Sequence, residues 1–305
     1  VNEQSQTEAF SRILADALQL DQSLQRWPSY FRRRYLEFLS YYELLPVRHF
    51  QSVLEIGCGN GFQTALLASI SNSVTATDLE SSSMETHSPG LEVARSVLRK
   101  LNVSNAKVLP ADATQLPFEN ESFDLVYSSH MLEHVPDRKK AVAEMYRVLR
   151  KGGLLLCVVP TRTDKVYAFP WHYASLVKSA FGKLSRLFSG NNKTSSDTGS
   201  QYKGESTKKL SPWLPYPHGA EESYFVELKN WTPLFWRKQL EYSGAELVLQ
   251  QGTQINPLLP LVGIVSPGFA TGIHAVTRKQ ERYFGKIKLL SALSINTVLI
   301  FRKLQ

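Results

Sequence analysis

A short apolar run, Val53 to Ile56, contains one acid, Glu55, and leads into glycines at every second position, Gly57, Gly59 and Gly61, with Cys58 between the first two. Glycine is needed where backbone adopts positive φ or must meet a ligand with no Cβ in between. Two more carboxylates follow apolar runs: Asp78, seventeen residues after Gly61, and Asp112, just beyond Ala106 to Leu109. His130 and His134 come after a fourth run, and His218 sits in a proline-rich stretch. A carboxylate at a strand tip can accept hydrogen bonds from both hydroxyls of a ribose. A histidine titrates near neutrality and can move a proton. These residue types suit a site that holds a nucleotide-like cofactor and acts on a second molecule. The dinucleotide fingerprint G-x-G-x-x-G needs a third glycine where this chain has Phe62, so the spacing speaks against a pyrophosphate cofactor.

The elements around these residues alternate in type. The glycines open a predicted helix over 62–69, and a second strand, Ser73 to Thr77, ends at Asp78. A helix from about Gly90 to Asn102 places Leu91, Ala94, Val97, Leu98 and Leu101 on one face. Strands follow at 106–109, 123–128 and 154–159. Asp137 is placed to cap a helix that Gly152-Gly153 ends. After a long interruption, Trp231 to Ser243 reads as a helix, and Ala245–Gln250 and Ile295–Phe301 read as two closing strands. Strands alternating with amphipathic helices predict an α/β fold around a mostly parallel sheet.

The form Glu55-x-Gly57-x-Gly59-x-Gly61, with acids after the second and third strands and Ser128-Ser129-His130 after the fourth, resembles the class I S-adenosylmethionine-dependent methyltransferases. The likeness is to the broad small-molecule branch that includes ubiquinone and menaquinone methyltransferases and many glycan and natural-product enzymes. It implies a Rossmann-like, seven-stranded, mostly parallel sheet of order 3-2-1-4-5-7-6, with helices on both faces and a lid insertion. It implies S-adenosyl-L-methionine as cofactor, with Glu55, Gly57, Cys58, Gly59, Asp78, Leu79, Asp112, Ala113 and Ser128 as its contacts. Asp78 would take the ribose hydroxyls and Asp112 the adenine amino group. Cys58 is equally read as a small packing residue of the loop. His130 and His218 are the catalytic candidates, and His134 is a helix-entry residue. No metal site is expected.

Four segments result: a helical cap over 1–50, the cofactor core over 51–160, an acceptor lid over 161–225 with a flexible 189–211, and completion of the sheet over 226–305. The aromatic stripe of Arg26–Leu45 either packs on the sheet or lines the acceptor pocket. A loop as long as the lid is usually functional or disordered. Between the closing strands, Leu247 to Thr277 holds no Asp, Glu, Lys or Arg, and its apolar insertion, 252–277, is broken by prolines and glycines. A membrane span needs around 20 unbroken apolar residues, which makes this a buried loop or an interfacial contact.

The chain has 305 residues and a net charge of +8. Residues 1–160 carry a slight acidic excess, and the positive charge lies in the second half, which favours an anionic or lipid-linked acceptor or peripheral contact with an anionic membrane. Two cysteines give no disulfide framework, and the polar start does not read as a signal peptide, so a cytoplasmic enzyme is expected. The sequence leaves oligomeric state open. Base and amide methyltransferases carry Asp/Asn-Pro-Pro-Tyr/Phe after the fourth strand. Here Ser128-Ser129-His130-Met131 stands there, which disfavours a nucleic-acid or protein acceptor. An RNA or protein methyltransferase, or a non-catalytic scaffold that binds the cofactor, is the alternative.

Overall fold

The computed structural model describes residues 3–20, 28–80, 90–166, 173, 217–253 and 294–305. Seven strands form one sheet in the order β3-β2-β1-β4-β5-β7-β6. β1 (Phe50–Ile56) lies parallel to β2 (Ser71–Asp78) on one side and β4 (Phe123–Ser129) on the other. β3 (Ala106–Pro110) extends beyond β2, and β5 (Leu149–Pro160) pairs with β4, both parallel. β7 (Asn296–Lys303) runs antiparallel between β5 and β6 (Ala245–Thr253). The order reverses between β1 and β4, and in open α/β sheets that switch point is where a ligand crevice forms, beyond the carboxyl ends of the strands.

Alternation along the strands builds two cores. Leu154, Leu156 and Val158 face α1 (Glu3–Ala17), α2 (Pro28–Tyr42) and α3 (Phe62–Ala68), whereas Leu155, Cys157 and Val159 face α5 (Arg138–Val148) and the C-terminal helices. Both faces of these strands are buried, which is why they read as continuous apolar runs. α4 (Leu91–Lys100) packs Leu91, Ala94 and Leu98 against α3 and Ala76. Asp137 caps α5, its side chain accepting from the Lys140 N–H at 3.1 Å. In α2, Phe31, Phe38, Tyr41 and Tyr42 are buried in the core, so these members of the aromatic stripe pack on the sheet.

The segment read as one helix over 231–243 is different. α6 (Tyr224–Asn230) ends before it, and α7 (Pro233–Leu240) starts afresh after Thr232. Thr232 accepts the Phe235 N–H at 3.0 Å, and Pro233 fits the first helical turn, where its missing N–H costs nothing. No helix among the described residues is long and apolar enough to cross a membrane. Most of the lid, the flexible 189–211 and the apolar insertion beyond Thr253 lie outside the described residues.

Candidate active site

The three loop glycines have positive φ, 81° at Gly57, 54° at Gly59 and 79° at Gly61, but their surroundings differ. A Cβ on Gly57 would stand 2.6 Å from Met131 Cγ, and one on Gly61 would meet the Ala94 backbone, so both are close-approach positions. A Cβ on Gly59 would meet nothing within 4 Å, which makes Gly59 the open face of the loop. The loop amides turn inward. Gly57 and Cys58 both donate to the Thr77 carbonyl, at 2.8 and 2.9 Å, and Gly59 donates to Asp78 Oδ2 at 2.8 Å. Phe62 N–H at the start of α3 donates to Asn60 Oδ1. A pyrophosphate cradle aims these groups at the ligand; here they are consumed by the protein.

With these amides bonded inside the protein, the groups left open at the strand ends are side chains. Asp78 ends β2, one oxygen taken by Gly59 and the other by the Leu79 N–H at 2.8 Å. A carboxylate's two oxygens carry about four acceptor positions, so these two bonds leave room for further donors. Leu79 is 40% exposed beside it, an apolar surface suited to a flat base. Asp112 and buried Ala113 follow β3, Asp112 Oδ1 accepting from the backbone and hydroxyl of Thr114. Cys58 is a free, buried thiol, and burial pushes its pKa up, against any nucleophilic role. Ser128 is buried on β4, next to Ile56. Glu55 lies near the end of β1. It is buried beside the Thr64 hydroxyl, which donates to its Oε2 at 2.5 Å, and burial raises its pKa to about 7.

Beyond β4 the chain places a dense polar cluster. His130 has a φ of 52° and is held by its N–H to the Val158 carbonyl. Its Nε2 lies 3.1 Å from Glu37 Oε2, and its Nδ1 lies 3.5 Å from Glu133 Oε1. Glu37 reaches over from α2, accepting also from Ser129 Oγ at 2.8 Å and from Arg34 Nη1 at 3.1 Å. Burial opposes charge on Glu37, but Arg34 and His130 hold its carboxyl well below the usual range. Burial and Arg34 disfavour the His130 cation, and the two carboxylates outweigh them, raising its pKa. Glu133 is buried as well; burial alone would raise its carboxyl, yet His130, His134 and His218 bring it down to about 2.

His218 comes from the far segment. Its own N–H and that of Gly219 donate to Glu227 at 3.0 and 2.6 Å, and Glu227 pairs with buried Lys165 at 3.0 Å. The Ala220 N–H donates to the Glu133 carbonyl at 2.7 Å, and Glu221 pairs with Arg138 at 2.8 Å. Both histidines singled out in the sequence thus lie near one buried carboxylate, Glu133.

A family model described as "Methyltransferase domain" matches residues 54–157. The ubiquinone/menaquinone biosynthesis C-methyltransferase of Psychromonas ingrahamii is 40% identical over 114 residues, covering 36% of this chain and 43% of that protein. The 27-O-demethylrifamycin SV methyltransferase of Amycolatopsis mediterranei is 36% identical over 113 residues, 37% of this chain and 39% of that one. Residues 54–157 are a class I S-adenosylmethionine-dependent methyltransferase domain. The chain spans about two fifths of the length of these curated relatives. A solved S-adenosylmethionine dependent methyltransferase from Mesorhizobium loti aligns with a TM-score of 0.48 at 15% identity, over 88% of this chain and 97% of that one.

Around this methyltransferase domain, sequence reasoning missed Glu37, Arg34 and Glu133. The available signal was local: a Glu one turn after an Arg inside an otherwise aromatic helix face is costly to bury unless it has partners. Those partners, Ser129 and His130, lie more than ninety positions away, which no local pattern shows.

Proposed function

We propose that this protein transfers a methyl group from S-adenosylmethionine to the oxygen or carbon of a small-molecule acceptor: a sugar, an aromatic ring or a lipid-linked metabolite. The observation that carries the reading is the inward-turned glycine loop beside Asp78, which suits a ribose-bearing cofactor without pyrophosphate. Its acceptor class is supported by the relatives named for quinone and rifamycin methylation.

Bound S-adenosylmethionine supplies an electrophilic methyl on a sulfonium, which is its own leaving group. The protein then has to align the acceptor in line, exclude water and, for a weakly acidic acceptor, take its proton. We assign that proton to His130. Glu37 holds the ring through Nε2 at 3.1 Å, and Glu133 lies 3.5 Å from Nδ1. The two carboxylates stabilise the imidazolium so formed, as the acid of a hydrolase triad does. His218 is the second candidate. Asp112 is assigned to the adenine amino group, and Glu55 to holding the loop from beneath.

Calorimetry with S-adenosylhomocysteine and with NADH tests the cofactor: the first should bind and the second should not, and the reverse result overturns the reading. A mass-spectrometric search of cell extracts for products heavier by one CH2 tests the acceptor. Methylated RNA or protein with no small product would favour the other class.

A further inference from the structure

The side chain of Glu133 is completely buried, and among the described residues neither of its carboxylate oxygens receives a hydrogen bond. The His130 Nδ1 contact, at 3.5 Å, is too long to count as one. A buried carboxylate is retained when it is paired, hydrogen-bonded or bound to a metal. One ligand atom from each of Glu133, His134 and His218 lies within 4.8 Å of the others. The His134 and His218 rings stand 5.1 Å apart. The convergence is built by the backbone. Gly219 passes so close that a Cβ there would stand 2.3 Å from the Glu133 carbonyl oxygen, and the Ala220 N–H bonds that same oxygen.

We propose that Glu133, His134 and His218 form a binding site for a divalent transition-metal ion of the zinc class, which clips the 217–220 segment to the end of β4. Two imidazoles and one carboxylate are a ligand set that zinc takes readily, with a fourth position left for water or a substrate oxygen. Ligand atoms about 2.1 Å from a tetrahedral ion stand roughly 3.4 Å apart, so the three side chains need to draw together only slightly. His130 approaches one Glu133 oxygen at 3.5 Å, beyond hydrogen-bond length, and the buried Lys165 ammonium is matched by Glu227 at 3.0 Å and lies over the Trp231 ring. The ion would give the Glu133 carboxylate the direct partner that no hydrogen bond supplies, and would join the 217–220 segment to the turn that carries Glu133.

The inference stands apart from the methyltransferase reading and is tested by metal binding itself. Zinc is titrated into the metal-stripped full chain by calorimetry, and cobalt is added to a second sample to read visible absorption. One ion per chain is expected, with the intense visible bands of a low-symmetry cobalt site. Glu133→Gln and His218→Ala should each weaken zinc binding by roughly tenfold or more. Glu246→Gln, on an exposed pair with Arg302, should bind as wild type does. His218 is exposed, so its alanine variant should fold, which circular dichroism and an unchanged melting temperature would verify. Absence of saturable zinc binding, or equal binding in all variants, overturns the proposal.

Discussion

Glu55 sits where water does not reach, and its carboxyl keeps its proton up to about pH 7. The native state therefore binds a proton that the unfolded chain has already released above the ordinary carboxylate range. Its contribution is fully present below the unfolded pKa and is lost as pH rises through about 7. Glu55→Gln keeps the shape and removes the titration. The melting temperature of the wild type, measured against this variant, should fall between pH 5 and pH 8, by up to roughly 3 kcal/mol in stability. An unchanged difference would show that Glu55 is ionised in the fold. Asp78 and Gly59 act on the cofactor side. Asp78→Ala should weaken S-adenosylhomocysteine by roughly 1.5–3 kcal/mol per lost charged hydrogen bond, read by calorimetry. Gly59→Ala faces open space, so it should cost only about 1–2 kcal/mol of stability from its positive φ while obstructing the ligand. Full affinity in both folded variants would remove the cofactor assignment.

At the scale of elements, α2 joins the two halves of the site. Its Arg34 and Glu37 reach the end of β4, and its Tyr41 meets Tyr127 on β4 through paired hydroxyls 2.5 Å apart. Glu37→Gln leaves Arg34 half-buried without its counter-charge and His130 without its anchor. It should destabilise the fold by about 3 kcal/mol, in the range for breaking a buried pair. At saturating cofactor it should also lower the methyl-transfer rate while leaving S-adenosylhomocysteine affinity intact. Equal loss of both would mean that α2 serves the cofactor instead. The strands and their carboxyl ends were legible because each βαβ unit encodes itself locally (glycine loop, apolar run, acid), whereas the sheet order came only with the family resemblance. α6 was not legible, since no helix reads over 224–230, and α7 reads two residues too early although Thr232-Pro233 signals the helix start. The polar cluster around His130 was legible only as an isolated histidine, because its partners arrive from α2 through tertiary packing.

At the scale of the whole molecule, the positive excess lies in residues 161–305, which sum to +10 against −2 for residues 1–160. If the acceptor is lipid-linked, the protein should sediment with anionic vesicles at low salt and be released as the Debye length shrinks to roughly 3 Å near 1 M salt. Absence of sedimentation at low salt would favour a freely diffusing acceptor. The sheet order has a kinetic consequence as well. β7 is inserted between β5 and β6 and is buried along nearly its whole length, yet its partner on one side, β5, ends at Pro160 and it begins at Asn296. Until that distant pairing closes, β5 presents an apolar strand with an unsatisfied edge, and β6 has no neighbour to dock on. Refolding from denaturant should therefore be slow and concentration-sensitive, with aggregation competing most strongly before β7 inserts.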